Sequence, residues 1–308
     1  MIRKILLALG AIAAAAGAHP ALAETLPVRG VYPAGSDAAA AVQSIAVEPF
    51  GGIEGQTLAI ALGDELRAVS IDGMPYFRIV PGGRAVDAEA TLQGALSVER
   101  LRRDSYDKER EECVERDKDD KCVKREKRKI PCWEAVARID PSIRLIDADG
   151  ALLDAFDEPR ESATRYCRDD KRPSQDDMIR LLTQALARDL RARFAPVERA
   201  EDIRVMEERN GLASADKDRF RDAVRLTKQD ERLACDAFHA LEANNTDHPS
   251  VLFNLGLCAE SAGDLAAAED YYRRTLTANA KADYAGAGMR RIADRRRADA
   301  QLAEHNAL

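Results

Sequence analysis

Aromatic side chains are scarce: Phe, Trp and Tyr together make up 5% of the 308 residues. Platforms for stacking bases or sugars are therefore poorly supplied. A surplus of positive charge is also missing. The formal net charge is −7 and the sequence pI about 5.4, so nothing points to nucleic acid, whose binders carry a basic patch. No Gly-rich phosphate loop, no His-Glu-x-x-His and no Gly-x-Ser-x-Gly occurs in the chain. That removes the phosphate cradle, the zincin helix and the nucleophile elbow. No Cys-x-x-Cys and no Cys/His cluster is present either, and zinc sites are usually built on such spacing. No catalytic residue, cofactor or metal ligand is assigned on these grounds. His239 and His248 flank one predicted interhelical loop, where surface histidines are the ordinary reading.

What is present begins with an export signal. Arg3 and Lys4 precede an uncharged apolar run, Ile5 to Ala18, and Ala21-Leu22-Ala23 follows. Small residues at those two positions predict cleavage after Ala23. The run is too short and Ala-rich to span a bilayer, which takes about 20 apolar residues. No cysteine follows the cleavage point, so no lipid anchor is expected there. No later stretch is long and apolar enough for a second membrane segment. The expected location is the periplasm.

Cysteines number six: Cys113, Cys122, Cys132, Cys167, Cys235 and Cys258. An even count in an exported chain predicts disulfides. The pairing follows from the predicted turns. From about Leu101 to Ile130 nearly every residue is charged, with both signs interspersed. A disordered segment is one reading and a two-stranded ribbon the other. A turn at Lys118-Asp119 places Cys113 opposite Cys122, near the tip, where a ribbon without an apolar face needs a cross-link. Folding the next hairpin about Asp147-Ala148-Asp149-Gly150 brings Cys132 opposite Cys167.

The rest of the chain divides by its periodicities. Residues 24–43 read as a flexible lead-in. Ser44 to Phe50 begins as a strand. Leu58, Leu62 and Leu66 mark a helix from Gln56 to about Ser70. Tyr76 to Val80 is a second strand, ended by Pro81-Gly82-Gly83, and Thr91 to Val98 a third. Trp133 to Ile139, Ile143 to Ile146 and Ala151 onward are further strands. Ser174 reads as an N-cap, with Asp176 and Asp177 favouring the helix dipole. Met178, Leu182, Leu186, Leu190 and Phe194 then lie on one face of a helix that stops at Pro196. The expected fold class is α+β: an α/β sandwich over 44–198, a mixed sheet with two helices and a charged hairpin at 101–130. A linker at 199–213 and a helical domain over 214–304 follow.

Two resemblances enter on these residues. Val47-Glu48-Pro49-Phe50, Phe77-Arg78-Ile79-Val80, Ala88-Glu89-Ala90-Thr91-Leu92-Gln93-Gly94 and Ile143 to Asp147 with Gly150 resemble the α/β envelope domain shared by the N-terminal part of TolB, CsgG and LpoB. This covers about 44–195 and implies an envelope protein that contacts other envelope proteins. The charged ribbon departs from that compact core, and its charges forbid membrane insertion. In the C-terminal third, Asn254-Leu255-Gly256, Gly263, Ala268 and Tyr272 resemble the tetratricopeptide repeat in register. About 34 residues upstream of Ala268 and Tyr272, one repeat length, lie Ala234 and Phe238. The early aromatic and the closing proline of the repeat are absent. In stacked repeats the helices bearing Cys235 and Cys258 pack together, which predicts their disulfide. From Tyr284 to about Leu302 a closing helix is expected, its arginines facing solvent.

These readings imply a periplasmic, non-enzymatic scaffold or adaptor that binds envelope proteins through its repeat groove and sheet edge. It is expected to bind no nucleic acid and to make no stable membrane insertion. A regulatory activator of an envelope enzyme, such as a cell-wall synthase, and a periplasmic enzyme with an unmarked site are the alternatives.

Overall fold

The structure, a computed structural model, describes residues 24–81 and 87–307. The expected signal segment 1–23 and the loop residues Gly82 and Gly83 lie outside the described residues.

Ile45-Ala46-Val47 is an unbroken apolar run because it forms a central strand. Strand β2 (Ser44–Val47) has Ile45 fully buried in the main core and Ala46 fully buried in a small separate cluster with Val80 and Ala88. It follows β1 (Thr25–Tyr32) and a short helix, α1 (Asp37–Ala41). Helix α2 (Ile53–Arg67) then returns the chain past a small hairpin, β3 (Ser70–Ile71) and β4 (Met74–Pro75), into β5 (Arg78–Pro81). Strand β6 (Ala90–Asp104) lies on the other side of β2, and both β5 and β6 run parallel to it. The charged ribbon is β7 (Lys108–Arg116) and β8 (Cys122–Ile130). Strand β9 (Cys132–Asp147) comes back antiparallel to β6 along its whole length, from Ala90 opposite Asp147 to Asp104 opposite Trp133. Strands β10 (Leu152–Phe156) and β11 (Arg160–Cys167) both pair antiparallel with β9. The sheet is thus mixed, in the order β10-β9-β6-β2-β5, with β11 also on β9.

Helix α3 (Gln175–Phe194) starts where expected: the Ser174 hydroxyl accepts from the Asp177 amide. Leu58, Leu62 and Leu66 of α2 and Leu186, Leu190 and Phe194 of α3 are buried in one core with Ile45, Leu92, Leu96, Ile139, Ile143 and Leu145 of the sheet. The opposite sheet face is polar. Glu99 faces Arg138 and Arg138 faces Glu161 across the strands, and Arg103 grips Glu161 with two 2.8 Å hydrogen bonds. Alternation of apolar and charged residues along β6 and β9 produces this two-sided sheet.

After β12 (Val197–Arg204) the chain is helical: α4 (Ser214–Leu226), α5 (Glu231–Glu242), α6 (Pro249–Ser261), α7 (Leu265–Ala278) and α8 (Asp283–His305). The content is therefore α+β. Two compact units result, and they are not sequential. Among the described residues, one joins residues 24–28 to Asp202–Ala285; the other joins Arg29–Glu201 to residues 286–307. Strands β1 and β12, which pair with each other, and helix α8 each pass from one unit to the other.

Three expectations change here. The segment 24–43, read as a loose lead-in, holds β1 and α1. Pro27 and Gly30 hid its strand pattern, but Leu26 and Val28 are fully buried. The segment 199–213, read as a linker, begins inside β12. Helix α8 is not wholly part of the helical unit, and its last turns are buried by the α/β unit. The alternation that marks a half-buried strand is short in β1 and β12, and each is stabilised mainly by distant residues.

Candidate functional site

The cysteines come together in three pairs, and none is left free among the described residues. Cys113–Cys122, Cys132–Cys167 and Cys235–Cys258 are disulfides. Six cysteines so paired fit an oxidising environment. Cys132 lies directly opposite Cys167 in the β9–β11 register, in a small buried cluster with Ile130. The ribbon pair differs in detail from the expected facing arrangement. Cys113 stands opposite Arg125, and Cys122 opposite Arg116. The register shifts between them, leaving Val114 and Val123 without opposite residues, and the bond crosses that irregularity. The turn itself is centred as expected. The Asp117 carboxylate accepts from the amides of Asp119 and Lys121, and Asp120 takes the left-handed conformation. The other hairpin repeats the device: Asp147 accepts from Asp149 and Ala151, with Gly150 in the left-handed place.

Opposite charges explain how a ribbon with almost no apolar face holds. Glu109 faces Lys129, Glu111 faces Lys127 and Glu115 faces Lys124. Each such pair is worth about 0.2–1 kcal/mol. Where like charges meet, Arg110 opposite Arg128 and Glu112 opposite Glu126, the partners are found elsewhere. Arg128 reaches Glu112 diagonally, and Arg110 bonds Asp169.

The residues singled out in the C-terminal third lie in α6 and α7. Gly256 is where the two helices touch: a Cβ there would sit 2.5 Å from the Tyr272 ring. Ala268, Leu255 and Tyr272 are fully buried. The Tyr272 hydroxyl donates to Glu260 at 2.6 Å. Gly263 makes the turn with φ of 83°, in the left-handed region that favours glycine. Upstream, Ala234 and Phe238 of α5 are buried in the same way. Asn254 does something its motif position did not announce. Its carboxamide clamps one backbone unit of the extended chain: Oδ1 accepts the Met206 N–H at 2.8 Å, and Nδ2 donates to the Met206 carbonyl at 3.0 Å. Nearby, the Ser261 hydroxyl donates to the Pro27 carbonyl at 2.7 Å. Lys228 pairs with Glu24 at 2.9 Å and holds its carboxyl below the usual range. Asn254 and Ser261 of α6 thus both hold backbone groups of the chain's own connecting segments.

His239 and His248 do not converge. The His239 ring lies beside Tyr271, whereas His248 Nε2 bonds the Asn210 carbonyl at 2.9 Å. No group of three or more metal-ligating side chains exists among the described residues. Burial and the Glu242 carboxylate push the Tyr271 hydroxyl up to about 12.

Within the α/β unit, sequence reasoning missed the end of α8. Gln301 repeats the amide clamp on Ala34, accepting its N–H at 2.8 Å and donating to its carbonyl at 3.2 Å. Arg297 and Gln301 both hold Asp37, at 2.9 and 2.6 Å. The His305 ring stacks on Tyr76 at 4.0 Å between centroids, and its Nδ1 lies 3.1 Å from the Ala40 carbonyl. Burial raises the Tyr76 pKa well above the ordinary tyrosine value. The advance signal was slight: Ala298, Gln301 and His305 share one helix face and are buried, but the arginines around them obscured it. The same unit carries a groove of about 540 Å³ between α2 and the sheet edge, floored by Val47, Ala59, Gly63 and Ile79, with Glu48 and Ile60 at its rim.

No helix among the described residues is long and apolar enough to cross a membrane. No protein-family model and no curated protein matches the sequence. Among solved structures the chain is similar to PelC dodecamers from Paraburkholderia phytofirmans. One, a single-residue variant, is 15% identical, with 55% of this chain and 98% of that chain covered and a TM-score of 0.23. Another crystal form is 14% identical, with 53% and 97% covered and a TM-score of 0.20. Scores that low carry no argument about fold or function.

Proposed function

We propose that this chain is an exported, non-enzymatic adaptor that binds partner proteins in the cell envelope. One observation carries the reading: the helix pair α6–α7 is locked by a glycine, an alanine and a tyrosine at tetratricopeptide spacing. The same small-then-aromatic pair, Ala234 and Phe238, is buried one repeat earlier. Repeats of this kind are stacked helical hairpins whose business is protein contact. The three disulfides support a location in the periplasm after removal of 1–23. The α/β unit is carried in the same proposal as a TolB–CsgG–LpoB-like envelope domain, on its strand-end motifs.

The test is capture from the periplasm under non-reducing conditions, followed by reconstitution with the purified partner. A single envelope protein bound at fixed stoichiometry is expected. A partner that is a cell-wall synthase, with its rate changed on binding, narrows the adaptor to an activator. A chain that captures no protein but turns over a small substrate overturns the proposal.

A further inference from the structure

The clamp on Met206 is unlike an ordinary packing contact. Asn254 is fully buried, yet its two amide functions are spent on the backbone N–H and carbonyl of one residue, Met206, at 2.8 and 3.0 Å. A buried carboxamide left without partners costs about 1–3 kcal/mol, so this place demands an extended backbone. It reads that backbone alone: an N–H and a carbonyl of the same residue, which any residue except proline supplies. The anchoring beside it is apolar, since Val205 is buried and Leu26 and Val28 of the neighbouring strand are buried too. Val205 donates to the Glu24 carbonyl at 3.0 Å, which continues the β1–β12 pairing to the clamp.

The segment that occupies the site is weakly tied elsewhere. Strand β12 has β1 as its one partner in a two-stranded sheet, and such a ribbon is marginal by itself. Glu207, Glu208 and Arg209, just beyond the clamp, are exposed.

We infer that Ile203–Met206 is a built-in ligand of the helical unit, seated on α6 where a partner's extended segment goes. That segment carries apolar side chains at alternate positions, as Ile203 and Val205 do, and takes hold of Asn254 when the chain's own strand leaves. Self-occupancy lowers the apparent affinity for the partner by the fraction of time the site is open. The inference rests on the adaptor reading but is tested without any partner, so either can fail alone.

The probe is a fluorescent peptide of residues 201–209, added to the full-length oxidised chain. Met206→Pro removes the N–H that Asn254 accepts while keeping the residue before it extended. Folded Met206→Pro protein is expected to bind the peptide about tenfold or more tightly than wild type. Adding Asn254→Ala is expected to abolish the gain. Equal binding by wild type and by folded Met206→Pro overturns the inference, as does a gain that survives Asn254→Ala. Should Met206→Pro fail to fold, hydrogen exchange on wild type decides. The Val205 and Met206 amides are expected to exchange faster than those of Leu255 to Cys258 in α6. Protection equal to that of α6 overturns the inference.

Discussion

Two helical glycines show how the same residue type answers different demands. Gly256 has no room for a methyl group, because an added Cβ would lie 2.5 Å from a ring carbon of the fully buried Tyr272. Gly63, inside α2, would bring an added Cβ no nearer than 4.0 Å to Val47, an ordinary contact. Alanine gains about 1 kcal/mol over glycine in a helix, whereas overpacking a core costs about 1–3 kcal/mol. Gly256→Ala is therefore expected to destabilise the helical unit, and Gly63→Ala to stabilise the α/β unit by about 0.5–1 kcal/mol. Urea midpoints of the two variants check this; equal shifts in one direction would refute it. The glycine at 256 was legible from its spacing to Ala268 and Tyr272. The clamp role of Asn254 was not, because its target, Met206, is set by the tertiary path of the chain.

At the scale of elements, the three disulfides differ in access. Cys132 and Cys167 are 2% and 4% exposed, while the ribbon pair is half-buried near an exposed turn. A limiting reductant is expected to open Cys113–Cys122 first, which alkylation and peptide mass will show; earlier labelling of Cys132 would contradict it. Losing that bond affects chiefly the ribbon. For a loop this short the constraint is worth about 2–3 kcal/mol, and β7–β8 has little apolar surface to replace it. The Cys235–Cys258 bond instead joins α5 to α6. A Cys235→Ser, Cys258→Ser variant is expected to lose about 2–4 kcal/mol and to unfold the helical unit before the α/β unit. Unfolding followed by domain-resolved hydrogen exchange is the measurement, and simultaneous melting of both units would count against it. The order of strands and helices was readable from period-2 and period-3.6 patterns. The irregular register around Cys113 was not, because a charged ribbon offers no apolar face to pin it.

For the whole molecule, the end of α8 completes a unit by meeting residues 260 or more positions earlier in the chain (Asp37 meets Arg297 and Gln301). Those bonds, Gln301 first and Arg297 next, hold the Asp37 carboxyl below its usual range. A lowered native pKa contributes stability above the unfolded value of about 3.9, and that contribution is lost as pH falls through the native value. Asp37 is largely exposed, so the effect is small. Asp37→Asn is expected to melt slightly below wild type near neutral pH and to match it in strong acid. Melting curves across that range test the sign, and a gap that widens in acid would refute it.

The sequence by itself determined the chemistry of the pieces. Cysteine positions and turn residues placed the hairpins, leucine spacing placed α2 and α3, and a glycine–alanine–tyrosine pattern placed the packed pair α6–α7. Those signals are local: each arises from residues within one element or across one turn. Only the tertiary structure decided which unit each element joins. Strand β1 looked like a loose leader because the strand it pairs with, β12, lies far along the chain. The end of α8 looked like a solvated helix because Gln301 and His305 find their partners near residues 34 to 76. The Asn254 clamp on α6 has the same cause. Burial and backbone hydrogen bonding between segments distant in sequence leave no periodic mark, since what each residue satisfies is a neighbour in space.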